Sequence, residues 1–330
     1  MASQPLFPAP SYLLDENVFA VYYCHIMEGS GERFVVDGLA GRKTLRGRIR
    51  VSGAKNAALK AMAAAVLFKT PLILKNVPNI EDVRRMADLL EHAGIAIARP
   101  THDSMVVDAR HIGETELAMD ISKRLRASIV MTGPLLARIG HVSFPHPGGC
   151  VIGARPIDMF LEGFKKMGAR VREKEHMYTV RAPKEGLRGA TLFFRQQSVT
   201  ATETFMMAAV LAHGETVLKN AAMEPEIAHL AEFLNRSGAR IEGAGTSTII
   251  VKGTRLLSVP RDGYTIVADR VESGSFLILG ALAARNMLIT HCVPEHIGSL
   301  IETLSYAGVP ILVKGNTIRV RAPKKSPSAV

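Results

Sequence analysis

Lys166-Met167-Gly168-Ala169-Arg170-Val171 joins the end of a helical pattern to the start of a strand, and the join recurs three times. Its copies are His92-Ala93-Gly94-Ile95-Ala96-Ile97, Arg236-Ser237-Gly238-Ala239-Arg240-Ile241 and Tyr306-Ala307-Gly308-Val309-Pro310-Ile311. Glycine just past a helix supplies the left-handed conformation that ends it. The four glycines stand 74, 70 and 70 residues apart, and a nearly fixed period means repeated supersecondary units.

Working outward, each unit reads alike. An apolar helix (residues 57–68, 126–138, 199–213 and 271–284) precedes a short strand (72–75, 141–144, 216–219 and 287–290). A loop with Pro78, Pro156, Pro225 or Pro294 then opens an amphipathic helix. The glycine and two more strands close the unit, as at 169–172 and 178–181. The first helix of each unit is apolar nearly all round and is expected to be buried. The fold class is α+β.

The chain has 330 residues, 47% hydrophobic and 22% charged, the balance of a folded globular protein. Its net charge of +11 favours anionic partners. With no Trp and basic residues spread along the chain, a stacking platform for nucleic acid is not expected, and phosphorylated small molecules fit better. Cys24, Cys150 and Cys292 are an odd number at wide spacings, which points to a reducing, cytoplasmic setting. No run approaches the roughly 20 apolar residues that span a bilayer, so no membrane partner is expected. Residues 1–26 are unlike the rest, Met27 is expected to be the natural start, and residues 324–328 are expected to be a disordered tail.

Pro147-Gly148-Gly149-Cys150-Val151-Ile152-Gly153-Ala154-Arg155-Pro156 is the segment with the most chemistry. Its proline and glycines allow turns and close backbone approach. Cys150 lies five residues before Arg155, and a neighbouring cation lowers a thiol's pKa from about 8.5. A free cysteine is more often a small buried hydrophobe, but a Gly-rich loop opening a helix at Pro156 is not the usual place for one.

That loop, with Ser52-Gly53-Ala54-Lys55-Asn56-Ala57-Ala58 and Arg126-Ala127-Ser128-Ile129, closely resembles the UDP-N-acetylglucosamine 1-carboxyvinyltransferases, a family of enolpyruvyl transferases. The resemblance runs from about Phe34 to about Ala322. The sister family that acts on shikimate 3-phosphate shares the fold but lacks the Cys loop, and an inactive nucleotide-sugar-binding paralogue is a further alternative. The family has six βαβαββ units in two domains of three, with the chain crossing from one domain to the other and back. By analogy residues 54–263 form a three-repeat domain, residues 33–53 and 264–330 part of a second, and residues 1–32 a disordered extension. The chain resembles a family member truncated at its C-terminus. The family's general base and further arginines lie beyond the fourth unit, so impaired activity is expected.

The resemblance implies phosphoenolpyruvate and UDP-N-acetylglucosamine as substrates, no cofactor, and a role in peptidoglycan precursor synthesis. Protein partners are not indicated. Cys150 is implied as the proton donor. Lys55 and Asn56, at a helix start where the dipole favours anions, are implied as substrate contacts. Arg126 opens a helix, where a cation costs about a few tenths of a kcal/mol, which calls for a partner. Arg155 has the planar fork for phosphate or carboxylate, with an ion pair to Asp158 as the structural alternative. Pro156, Ile157, Asp158 and Met159 match the nucleotide-sugar segment, as do Gln197, Ser198 and Val199. Gln196 and Phe160 stand where the family often has Lys and His. His141, His146 and Cys150 match no common zinc spacing, so no metal is expected. The Gly148 to Gly153 run is not a dinucleotide fingerprint.

Overall fold

The computed structural model describes residues 21–24, 33–36, 39–148 and 157–323. The chain divides into two compact units, residues 53–267 and residues 1–52 with 268–330. The first strands are β1 (Val21–Cys24), β2 (Arg33–Val36) and β3 (Leu45–Arg50). β1 pairs antiparallel with β2, and the rest of residues 1–32 lies outside the described residues.

The 53–267 unit begins with α1 (Lys55–Ala64), β4 (Leu72–Lys75), α2 (Glu81–His92), β5 (Ala96–Thr101) and β6 (Ser104–Asp108). Next come α3 (Met119–Arg124), a 3₁₀ segment Arg126–Met131, α4 (Thr132–Ile139), β7 (His141–Pro145), α5 (Asp158–Lys166), β8 (Arg170–Lys174) and β9 (Met177–Arg181). The third repeat is β10 (Thr191–Phe193), α6 (Val199–Val210), β11 (Glu215–Lys219), α7 (Pro225–Arg236), β12 (Arg240–Glu242) and β13 (Thr248–Lys252), followed by the short strand β14 (Tyr264–Thr265). The other unit continues with α8 (Arg270–Ala283), β15 (Ala284–Thr290), α9 (Gly298–Tyr306), β16 (Ile311–Lys314) and β17 (Thr317–Val320).

One sheet plan serves every repeat. The strand after the first helix (β4, β7, β11, β15) lies antiparallel to the last strand (β6, β9, β13, β17), which pairs antiparallel with β5, β8, β12 or β16. A further strand joins in parallel: β14 on β4, β10 on β11 and β3 on β15. At β7 an isolated parallel bridge between Glu116 and Ser143 takes its place. Gly94, Gly168, Gly238 and Gly308 have φ of 79°, 90°, 106° and 83°, the left-handed conformation expected after each second helix. Asn76, Asn220 and His291, which follow β4, β11 and β15, also have positive φ. The amides of Asn76 and Asn220 donate to the carbonyls of Ile266 and Phe194, so each fixes a parallel neighbour at the same point of the repeat.

Eight of the ten residues of α1 are buried, as are residues 201–210 of α6 and 132–136 of α4. Gly133 is small by necessity, because a Cβ there would sit 2.3 Å from the Thr204 carbonyl oxygen. The Phe205 ring packs against Phe160, Phe164 and Phe194, and Phe233 stacks between Phe68 and Tyr264. Arg138 donates to the Val66 and Phe68 carbonyls at 2.7 and 3.0 Å, placing a cation at the carboxyl end of the first repeat's helix.

Among these apolar side chains lies an ion pair. Lys60 Nζ is 3.1 Å from Glu203 Oε2, with side chains 5% and 0% exposed. The approach is oblique, so neither carboxylate oxygen accepts a well-formed hydrogen bond from a described residue. Loss of solvation pushes the Glu203 carboxyl up to about 7, against the pull of Lys60.

In the other unit, Leu45, Ile49, Leu277, Met287, Ile289, Ile318 and Val320 form the core, with Cys292 buried among them. α8 is not buried all round as expected. Val271, Ile278 and Leu282, spaced along one helix face, are 60%, 44% and 63% exposed, because β15, β17, the 3₁₀ segment Pro294–Ile297 and Leu300 of α9 cover only the other side. None of the described helices is long and apolar enough to cross a membrane.

Gly133→Ala should lower the unfolding free energy by about 1–3 kcal/mol through overpacking, read as a lower urea midpoint. Gly298→Ala, at a helical position with nothing within 4 Å of the added methyl, should be neutral or stabilising. The Glu203 carboxyl makes a pH prediction. Because its folded pKa is raised from 4.5 to about 7, the folded chain holds a proton between those values that the unfolded chain has released. Its contribution therefore destabilises progressively as pH rises through that window and levels off above it. Urea midpoints measured from pH 5 to 8 for the parent and for Lys60→Met/Glu203→Leu should diverge with that slope.

Candidate active site

The entry to the glycine-rich loop is held from two sides. Gly148 N–H donates to the Ser122 carbonyl at 3.1 Å, and a Cβ on Gly148 would lie 2.0 Å from the Lys123 carbonyl oxygen. Only glycine permits that approach. Arg126 Nη1 donates to the Pro147 carbonyl at 3.1 Å, which supplies a partner for a cation at the start of a 3₁₀ segment. Arg126 thus sits beside the loop that carries the predicted thiol. Cys150, Arg155 and Pro156 themselves lie outside the described residues.

Lys55 and Asn56 open α1, whose N-cap Ala54 offers no side-chain acceptor to the first-turn N–H groups. Gly53 precedes them where a Cβ would meet the Asn76 carbonyl oxygen at 1.9 Å, so the chain enters the helix in close contact with the neighbouring loop. Lys55 Nζ is 3.1 Å from Asp82 Oδ2 in the first turn of α2, with the two side chains 49% and 34% exposed. A pair so exposed is worth about 1 kcal/mol or less, and an arriving anion can compete for the ammonium. The 3₁₀ segment headed by Arg126 packs on both α1 and α6, so the first-helix segments of the three repeats belong to one packed cluster.

Asp158 and Met159, in the first turn of α5, line a pocket of about 190 Å³ with Glu162, Phe193, Arg195 and Gln196. Ile157 is buried, so its side chain serves the core. Gln197 is exposed and donates to the Ala221 carbonyl at 3.4 Å. Ser198 is the N-cap of α6, its hydroxyl accepting from the Ala201 N–H at 3.2 Å, and Val199 is the first helical residue. The 61%-exposed Phe193 at this pocket, Arg195 beside it and Asp82 on Lys55 were not singled out from the sequence. The signal for Asp82 was available, since an acidic pair opens the helix after the Pro78 loop. Among the described residues no cluster of His, Cys, Asp and Glu could hold a metal ion.

This arrangement can be set beside known proteins. The family model described as EPSP synthase (3-phosphoshikimate 1-carboxyvinyltransferase) matches residues 39–330. A UDP-N-acetylglucosamine 1-carboxyvinyltransferase of Trichlorobacter lovleyi is 43% identical over 299 residues, covering 91% of this chain and 70% of the relative. The protein of the same name from Solibacter usitatus is 42% identical over 291 residues, covering 88% and 68%. Among solved structures, the enolpyruvyl transferase NikO from Streptomyces tendae superposes with a TM-score of 0.73 at 22% identity, covering 86% of this chain and 67% of that one. An EPSP synthase from Acinetobacter baumannii gives 0.66 at 16% identity, covering 85% and 66%. The structural likenesses establish the α+β fold of the enolpyruvyl transferases, and the sequence matches establish descent: the chain belongs to the EPSP synthase family of carboxyvinyltransferases.

Proposed function

We propose that this chain transfers the enolpyruvyl group of phosphoenolpyruvate to the 3-hydroxyl of UDP-N-acetylglucosamine, a step towards peptidoglycan precursors in the cytoplasm. The observation that carries the reading is the identity of 41–44% with proteins named for that reaction, against 22% and 16% with the NikO and EPSP synthase structures. In the reaction the sugar hydroxyl adds to C2 of phosphoenolpyruvate while C3 takes a proton; loss of a proton from C3 and departure of phosphate then restore the double bond. Cys150 is the proton donor in this reading. Lys55, Arg126 and Arg155 meet the phosphate and carboxylate charges, with Asn56, Pro156 to Met159 and Gln197 to Val199 on the nucleotide sugar. The pocket that Asp158 and Met159 share with Gln196 supports the assignment of those two residues.

Titration of purified protein with UDP-N-acetylglucosamine, paired with a phosphate-release assay on both substrates, tests the reading. Sugar-dependent phosphate release supports it. Sugar binding with neither phosphate release nor a phosphoenolpyruvate adduct on Cys150 would instead favour a binding-only paralogue, and absence of binding to either substrate overturns both readings. A second expectation concerns thiols. Burial pushes the Cys292 thiol up, and its Sγ lies 3.3 Å from the Asn316 carbonyl oxygen, so iodoacetamide should leave it unmodified in the folded protein while alkylating Cys150. Peptide mass mapping showing Cys292 labelled ahead of Cys150 would be the contrary result.

A further inference from the structure

The interior of the 53–267 unit contains a charged contact that the proposed chemistry leaves unused. Lys60 and Glu203 meet at 3.1 Å, each on a helix whose other buried residues are uncharged. Stability gives a poor account of their presence. Both charges are out of water, the carboxylate lacks well-formed hydrogen bonds from described residues, and the carboxylates of Glu226 and Glu224 add repulsion rather than support. Well-packed apolar residues in place of such a pair are often as stable or more so.

The position of the pair is more informative. Lys60 lies five residues after Lys55 and four after Asn56, and Glu203 lies five after Ser198 and four after Val199. At 1.5 Å per residue the pair sits about 6–8 Å from the start of each helix. Apart from this pair, α1 and α6 are joined mainly through the 3₁₀ segment Arg126–Met131, which packs on both; their remaining buried side chains are small, apolar or hydroxyl-bearing, and apolar contact is non-directional, so it resists rotation or slippage only weakly. An ion pair at a defined distance resists both, which is the registry role best attested for buried charge.

We infer that Lys60 and Glu203 form a positioning pair that fixes the register of α1 against α6, so that Lys55–Asn56 and Ser198–Val199 are presented to one nucleotide-sugar substrate in fixed relation. The inference rests on the substrate-binding reading of those two helix starts. A misplacement of about 1 Å at a positioned group can cost two orders of magnitude in rate, so the loss should be measurable although neither residue touches substrate.

The test is the apolar pair Lys60→Met/Glu203→Leu, with the reversed pair Lys60→Glu/Glu203→Lys as rescue. Expected for the apolar pair is a melting temperature equal to or above the parent's, with the dissociation constant for UDP-N-acetylglucosamine by isothermal titration raised about tenfold or more. Expected for the reversed pair is recovery of most of that affinity. A folded apolar pair that binds the sugar as the parent does overturns the inference. So does an apolar pair that fails to fold, since Lys60 and Glu203 would then serve stability. If the parent itself does not bind the sugar, the functional reading fails first and takes the inference with it, a result distinct from equal binding by parent and variant.

Discussion

A helix buried on every side must be covered on every side, and a single repeat of this chain offers one sheet and one further helix to do it. That constraint governs the 53–267 unit. α1, α4 and α6 come from three successive repeats and bury most of their residues, with α4 and α6 close enough to exclude a methyl group at Gly133. Each repeat's sheet and second helix then supply cover that the other repeats' first helices require, which is why the sequence repeats at all. In the other unit the described residues complete one repeat plus β3, and the outer face of α8 stays exposed.

The same packing brings the cations of the candidate site into use within the protein. Lys55 holds Asp82 and Arg126 holds the Pro147 carbonyl. Neither contact is strong, and each ties a charge to a neighbouring element: α2 in one case, the entry to the Cys150 loop in the other. An anion that replaced these partners would therefore change the restraint on α2 or on the loop as well as filling the site, a coupling of ligand to structure that costs little because the displaced contacts are partly exposed.

Much of this was legible in the sequence, for local reasons. The glycines at 94, 168, 238 and 308 mark helix ends because almost nothing else adopts their conformation, and the short strands stand out by alternation between turn signals. What escaped was tertiary. Arg126–Met131 forms a 3₁₀ segment rather than the first turns of one long helix, because α4 only starts at Thr132. Lys60 and Glu203 sit in segments read as apolar, and nothing local says that two charges about 140 positions apart will face each other in the core. α8 resembles its counterparts in composition yet is half open, since burial is decided by what surrounds a helix and not by the helix. At the candidate site, residue types pointed to Lys55 and Arg126, whereas their partners followed only from packing.

The parallel pairing of β3 with β15 has a consequence in time. Residues 51–283 intervene between those strands, and all of the 53–267 unit is inserted among them, its ends tied together where Ala54 N–H donates to the Val267 carbonyl at 2.7 Å. During synthesis at about 5–20 residues per second, β3 leaves the ribosome roughly 10 to 50 s before β15 exists. The inserted unit contains every strand and helix that its own core needs, so it is complete while β3 still lacks its partner. An arginine at every second position, Arg46, Arg48 and Arg50, keeps that waiting edge charged, the usual protection of an unpaired strand against association with other nascent chains.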